Sequence, residues 1–130
     1  MDDKKIIKLQ WRIGKMRILI CDDEQKLIDL ELSILQEYCR STNIAATFFT
    51  FTDSLSAGNI GEFDIAFLDI DMEKLNGIEL ARKLRSKNPT SIIIFVTNFI
   101  QYAPEGYEVN AFRYLLKSDI PYKLIPCICV

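Results

Sequence analysis

Five apolar, strand-like runs alternating with helical patterns predict an α/β domain: a doubly wound, five-stranded parallel sheet with helices on both faces. Two further observations support this fold class. Ile92, Ile93, Ile94, Phe95 and Val96 are continuously apolar, as a strand covered on both faces should be. Acids close two of the runs, in RILICDDE (17–24) and FLDIDM (67–72), and an open parallel sheet presents its ligand crevice outside the carboxyl ends of its strands.

The elements follow in order. Arg17 to Cys21 is an apolar run rich in branched residues, and Lys26 to Tyr38 places Leu27, Leu30, Ile34, Leu35 and Tyr38 at helical spacing. Thr47 to Phe51 reads as a second strand, and Asp53 to Ala57 as a short helix ended by Gly58 and Gly61. Ile65 to Leu68 is a third strand. Gly77 opens a helix carrying Ile78, Leu80, Ala81 and Leu84, which stops near Asn88 because Pro89 disfavours continuation. Ser91 to Val96 is the fourth strand. Ile100 to Val109, broken by Pro104 and Gly106, supports only a short or irregular helix before a fifth strand at Phe112 to Leu115. Pro121 and Pro126 bracket YKLI, leaving room for a couple of final helical turns. Residues 1–15 read as an N-terminal leader or extension, and 16–130 as the folded domain.

The chain of 130 residues suffices for one domain with a buried core, and 49% apolar with 26% charged residues is ordinary for a globular protein. Its net charge of -2 is unevenly spread: residues 1–15 hold five basic and two acidic side chains, net +3, leaving -5 for the remainder. An acidic body is a poor match to a nucleic-acid reader. With no histidine and four cysteines, the usual Cys/His zinc sites are not available. Cys21 and Cys39 read as small buried hydrophobes in a reducing compartment. No run is long enough to span a bilayer, and the start lacks a signal peptide's apolar core, so the expected location is cytoplasmic.

Taken singly, the polar residues at the strand ends are unremarkable. Asp22, Asp23 and Glu24 suit the positive end of a following helix, Thr97 is an ordinary strand-end residue, and a lone Lys117 in a loop is usually a solvated charge. Asp69 is different, because three apolar residues deliver it to the sheet edge, where the other acids would repel it. The conjunction of acids ending strands one and three, a hydroxyl ending strand four and an ammonium ending strand five supplies a cation cage, a nucleophile, a hydrogen-bond donor and a charge for a phosphoryl group. An oxygen-only donor set of this kind suits Mg²⁺.

On these residues, from Met16 to about Tyr122, the chain resembles the CheY-like receiver domains of bacterial two-component response regulators. The resemblance implies a flavodoxin-like sheet of order 2-1-3-4-5. It also implies a phosphoacceptor that catalyses its own phosphorylation and dephosphorylation and is not a turnover enzyme. Asp69 would take the phosphoryl group from a sensor histidine kinase. Mg²⁺ would be held by Asp22, Asp23, Asp69 and the backbone carbonyl of Asp71. Lys117 would pair with Asp69 and then with phosphoryl oxygens, Thr97 would donate its hydroxyl, and Tyr114 would be the aromatic switch. Phosphorylation would alter the surface of Gln101 to Tyr107 and Phe112 to Leu115, which makes homodimers in related receivers. The short final helix would leave Ile125, Ile128 and Val130 partly open, which favours self-association even before phosphorylation. NAFRYLLK (110–117) is similar to receivers joined to LytTR-class DNA-binding domains, so DNA would be reached only through an output domain absent from this chain.

Three departures stand out. Glu73 and Ser118 replace prolines usual in the family, and Asn98 replaces a smaller residue. A cis peptide after Lys117 costs about 2.5–4 kcal/mol without proline, against about 0.5–1 with it, which puts the lysine's placement in question. Two other readings use the same residues: a Mg²⁺-dependent phosphatase or Toprim-like enzyme built on Asp69-Ile70-Asp71, and a receiver-like interaction module that is never phosphorylated.

Overall fold

A computed structural model describes residues 15–72, 76–98 and 109–128. Five parallel strands, β1 (Met16–Cys21), β2 (Ala46–Phe51), β3 (Ile65–Asp69), β4 (Ile92–Thr97) and β5 (Arg113–Leu116), form one sheet in the order β2-β1-β3-β4-β5. The helices are α1 (Gln25–Ser41), α2 (Ser54–Ala57), α3 (Gly77–Lys87) and α4 (Ile120–Ile128), with a 3₁₀ turn at Lys117–Asp119. This is the expected doubly wound fold, and each strand lies within a residue of its predicted limits.

The sheet divides the core in two. On one side α2 and α3 cover Leu19, Ala66, Leu68, Ile93 and Phe95; on the other α1 and α4 cover Ile18, Ile20, Phe67, Ile94 and Val96. Every residue of β3 is buried, as a central strand covered on both faces requires. Local chemistry fixes the helix starts: the Asp53 side chain accepts from the Leu55 N–H, and Asn76 accepts from the Glu79 N–H.

Two details differ from the sequence pattern. The face of α1 that turns inward is Ile28, Glu31, Leu35 and Cys39, whereas Leu27, Leu30, Ile34 and Tyr38 are only half-buried. Eight of the 17 residues of this helix are apolar and spread over a wide arc, and a reading by hydrophobicity passes over a buried glutamate. The chain's end also packs better than expected. Helix α4 continues through Pro126 to Ile128 and buries Ile120, Leu124 and Ile128 against α1 and the sheet. Pro121 falls in the first turn, where its missing N–H is no loss, and Pro126 falls in the last, where it removes one bond near the exposed Tyr122.

Residues 1–14, Glu73, most of the segment expected as an irregular helix (Val109 excepted) and Val130 lie outside the described residues. Among those described, no helix is long and apolar enough to cross a membrane.

Candidate functional site

Parallel register brings the site together. Cys21 pairs with Leu68, so the next residues, Asp22 and Asp69, leave β1 and β3 at the same level. Asp69 pairs with Val96, and Thr97 pairs with Leu116, the residue before Lys117. Four chain segments far apart in sequence therefore end on one sheet edge.

Lys117 lies at the centre. Its ammonium is 3.3 Å from Asp69 Oδ2, 3.4 Å from Asp22 Oδ2 and 3.4 Å from Glu24 Oε1. Asp22, Asp69, Thr97 and Lys117 are all buried, while Asp23, Glu24, Asp71 and Asn98 are exposed at the rim. The remaining oxygens of the two aspartates are held by backbone: Asp22 Oδ1 accepts from the Glu24 N–H at 2.9 Å, and Asp69 Oδ1 from the Asp71 N–H at 3.2 Å. Among the described residues no peptide bond is cis, and Lys117 reaches the two aspartates across a trans Lys117–Ser118 bond. The 3₁₀ turn, not a proline, carries the chain away from β5 here.

The electrostatics follow from crowding acids in a dry place. Burial pushes the Asp69 carboxyl up to about 7, the neighbouring Asp22 charge adds to this, and Lys117 opposes it. Burial likewise raises Asp22, against the Glu24 N–H and Lys117. Burial pulls the Lys117 ammonium down, but Asp69 and Asp22 outweigh it and hold the group above its usual value.

Sequence reasoning located Asp22, Asp23, Asp69, Asp71, Thr97, Tyr114 and Lys117, and the structure places all of them at or just below this edge. Tyr114 pairs in register with Phe95 and stacks on it, ring centroids 5.3 Å apart, two residues before Thr97 and so on the same side of β4. Two acids escaped the reading. Glu24 was taken with its neighbours as helix-end charge, yet it reaches Lys117. Glu31 is buried with its Oε1 unpartnered, and burial, with the Asp22 charge next, raises its pKa well above the ordinary value. Its position midway along the Ile28–Leu35 stripe was the available signal.

Residues 18–127 match the response regulator receiver domain family. The chain belongs to that family. It is 37% identical over 109 residues to the transcriptional regulatory protein LytR of Staphylococcus aureus and 37% identical over 103 to the sensory transduction protein LytT of Bacillus anthracis, covering 78% of this chain and 41% of each relative. The chain thus spans about two fifths of the length of these relatives. Among solved structures it is similar to the response regulator TrrA of Thermotoga maritima in complex with Mg²⁺-BeF, at 26% identity and a TM-score of 0.69, over 86% of this chain and 98% of that one. The CheY-like receiver of Methanospirillum hungatei shares the fold at 21% identity and a TM-score of 0.67, covering 88% of this chain and 94% of that one.

Proposed function

We propose that this chain is the phosphorylatable receiver of a two-component response regulator, taking a phosphoryl group onto Asp69 from a sensor histidine kinase. The observation that carries the reading is Asp69 itself: a buried carboxylate at a strand tip, with one oxygen fixed by a backbone N–H and the other 3.3 Å from an ammonium. An Asp69 oxygen forms the new bond to phosphorus as the P–N bond of the kinase phosphohistidine breaks, and the imidazole leaves with that electron pair. Lys117 passes from Asp69 to the phosphoryl oxygens, Thr97 donates its hydroxyl to them, and Tyr114 turns inward as Thr97 moves.

The donor set fits Mg²⁺. The Oδ2 atoms of Asp22 and Asp69 are buried without a hydrogen-bond partner, and carboxylate oxygens of Asp22, Asp23 and Glu24 lie within 4.8 Å of one another. Asp22, Asp23, Asp69 and the Asp71 carbonyl would hold the ion, with water completing a shell of hard oxygens. When bound, Mg²⁺ offsets the negative charge of the carboxylates and the phosphoryl oxygens. We further infer a transcriptional output through a homodimer formed on phosphorylation, in keeping with the likeness to a protein named as a transcriptional regulator.

Phos-tag electrophoresis after treatment with acetyl phosphate and Mg²⁺ tests this. A retarded band in the parent, absent in Asp69→Asn and after EDTA, is expected. An unshifted parent would reject the phosphoacceptor role, and turnover of a phosphomonoester in its place would favour the phosphatase reading.

A further inference from the structure

The three carboxylates around Lys117 are not equivalent. All three lie 3.3–3.4 Å from the ammonium; the Glu24 contact has hydrogen-bond geometry, while Asp22 and Asp69 share the ammonium's charge from the buried side. Exposure separates them as well, at 1% for the side chains of Asp22 and Asp69 and 59% for Glu24. Both aspartates have their other oxygen anchored by a backbone N–H. Glu24 is the N-cap residue of α1, yet its side chain makes no cap hydrogen bond. It reaches inward from solvent to the buried ammonium.

We propose that Glu24 is a positioning residue that holds Lys117 in the resting protein, standing in for a phosphoryl oxygen, and that phosphorylation of Asp69 displaces it. This rests on the reading of Asp69 as phosphoacceptor and deepens it. An ammonium has three N–H donors, and three carboxylates already surround this one. As the ammonium turns to the phosphoryl oxygens on Asp69, the acid that yields most readily is the one that water can solvate. Asp22 cannot do so cheaply, because it would be left as an uncompensated buried charge. Glu24 can, because water takes its carboxylate as it swings out. Like-charge repulsion from the phosphoryl oxygens drives it the same way.

The test uses the full chain with Mg²⁺ and beryllofluoride as phosphoryl mimic, comparing the parent with Glu24→Gln and Glu24→Ala. Glu24 is mostly exposed and makes no cap hydrogen bond, so the fold should survive either substitution. Releasing a partly exposed ion pair is worth about two- to five-fold in an equilibrium, and both variants should bind beryllofluoride more tightly by that factor. The NMR signal of the Lys117 side chain should shift in the ligand-free variants, and the parent's should lose its Glu24 coupling when beryllofluoride binds. Equal or weaker binding by the variants, or an unmoved Lys117 signal, overturns the role of Glu24 alone. A parent that takes up neither beryllofluoride nor a phosphoryl group overturns the receiver reading and this inference with it.

Discussion

Asp22, Asp69 and Glu31 are carboxyls that burial holds above their usual range, and all three bear on stability in the same direction. An acid whose folded pKa is raised stabilises the fold fully below its unfolded value and loses that contribution as pH rises through the folded one. For Asp69 the window runs from about 3.8 to about 7. In urea titrations without metal, the contribution of these groups should therefore decline as pH rises across that window, and Asp69→Asn should flatten the dependence. Mg²⁺ at neutral pH should restore stability, because it favours the ionised carboxylates. A second expectation concerns Glu31, whose buried Oε1 has no hydrogen-bond partner. Glu31→Leu should raise the unfolding free energy at pH 7 by about 1–3 kcal/mol, since it removes a buried unsatisfied polar group. A destabilised variant would show that the carboxyl has a partner worth keeping.

At the scale of elements, the start of α3 is bound to the end of β3. The Gly77 N–H donates to the Ile70 carbonyl at 2.9 Å, and a Cβ at Gly77 would lie 2.2 Å from the Asp69 carbonyl oxygen and 2.8 Å from the Ile70 Cα. Backbone cannot retreat as the end of a flexible side chain can, so Gly77→Ala should cost about 1–3 kcal/mol. If Asp69 is the phosphoacceptor as proposed, it should also slow phosphorylation by about tenfold or more, because it displaces that residue; a rate equal to the parent's would show that the loop yields without moving Asp69. At its other end, α3 is tied down by Arg85, whose guanidinium donates to the carbonyls of Val109, Asn88, Pro89, Ser91 and Asn110. This clamp fixes the approach to β5. Arg85→Met should cost about 2–4 kcal/mol, given that hydrogen bonds to charged groups are worth about 1.5–3 each and part of the loss is recovered by water. Faster amide exchange concentrated at residues 109–112 would identify the cause as the clamp.

For the molecule as a whole, the chain's end bears on assembly. Ile128 is buried, Ile125 is half-buried, and Tyr122 is the large apolar side chain of α4 left to solvent. Ile128 is thus covered, whereas Ile125 still borders an open pocket with Ile34 and Tyr38 of α1, and Val130 lies outside the described residues. Light scattering should give a monomer without beryllofluoride and a dimer with it. A constant mass in both states would show that the signal leaves through another surface or another partner.

Strand and helix order, the acids at the tips of β1 and β3, and the residues brought to one edge could be read from local periodicity and from where apolar runs stop. Asp69 and Lys117 were legible for that reason: each directly follows apolar residues of its strand. The inward face of α1 could not be read this way, since apolar residues spread over a wide arc do not choose a face until α4 and the sheet cover the helix. That choice buries Glu31. The same holds for Glu24, Arg85 and the depth of Lys117. Their partners are 93, 24 and 48 residues away in sequence, for Glu24–Lys117, Arg85–Val109 and Asp69–Lys117, and a charge at a strand end looks alike in sequence whether it points to water or to another buried charge.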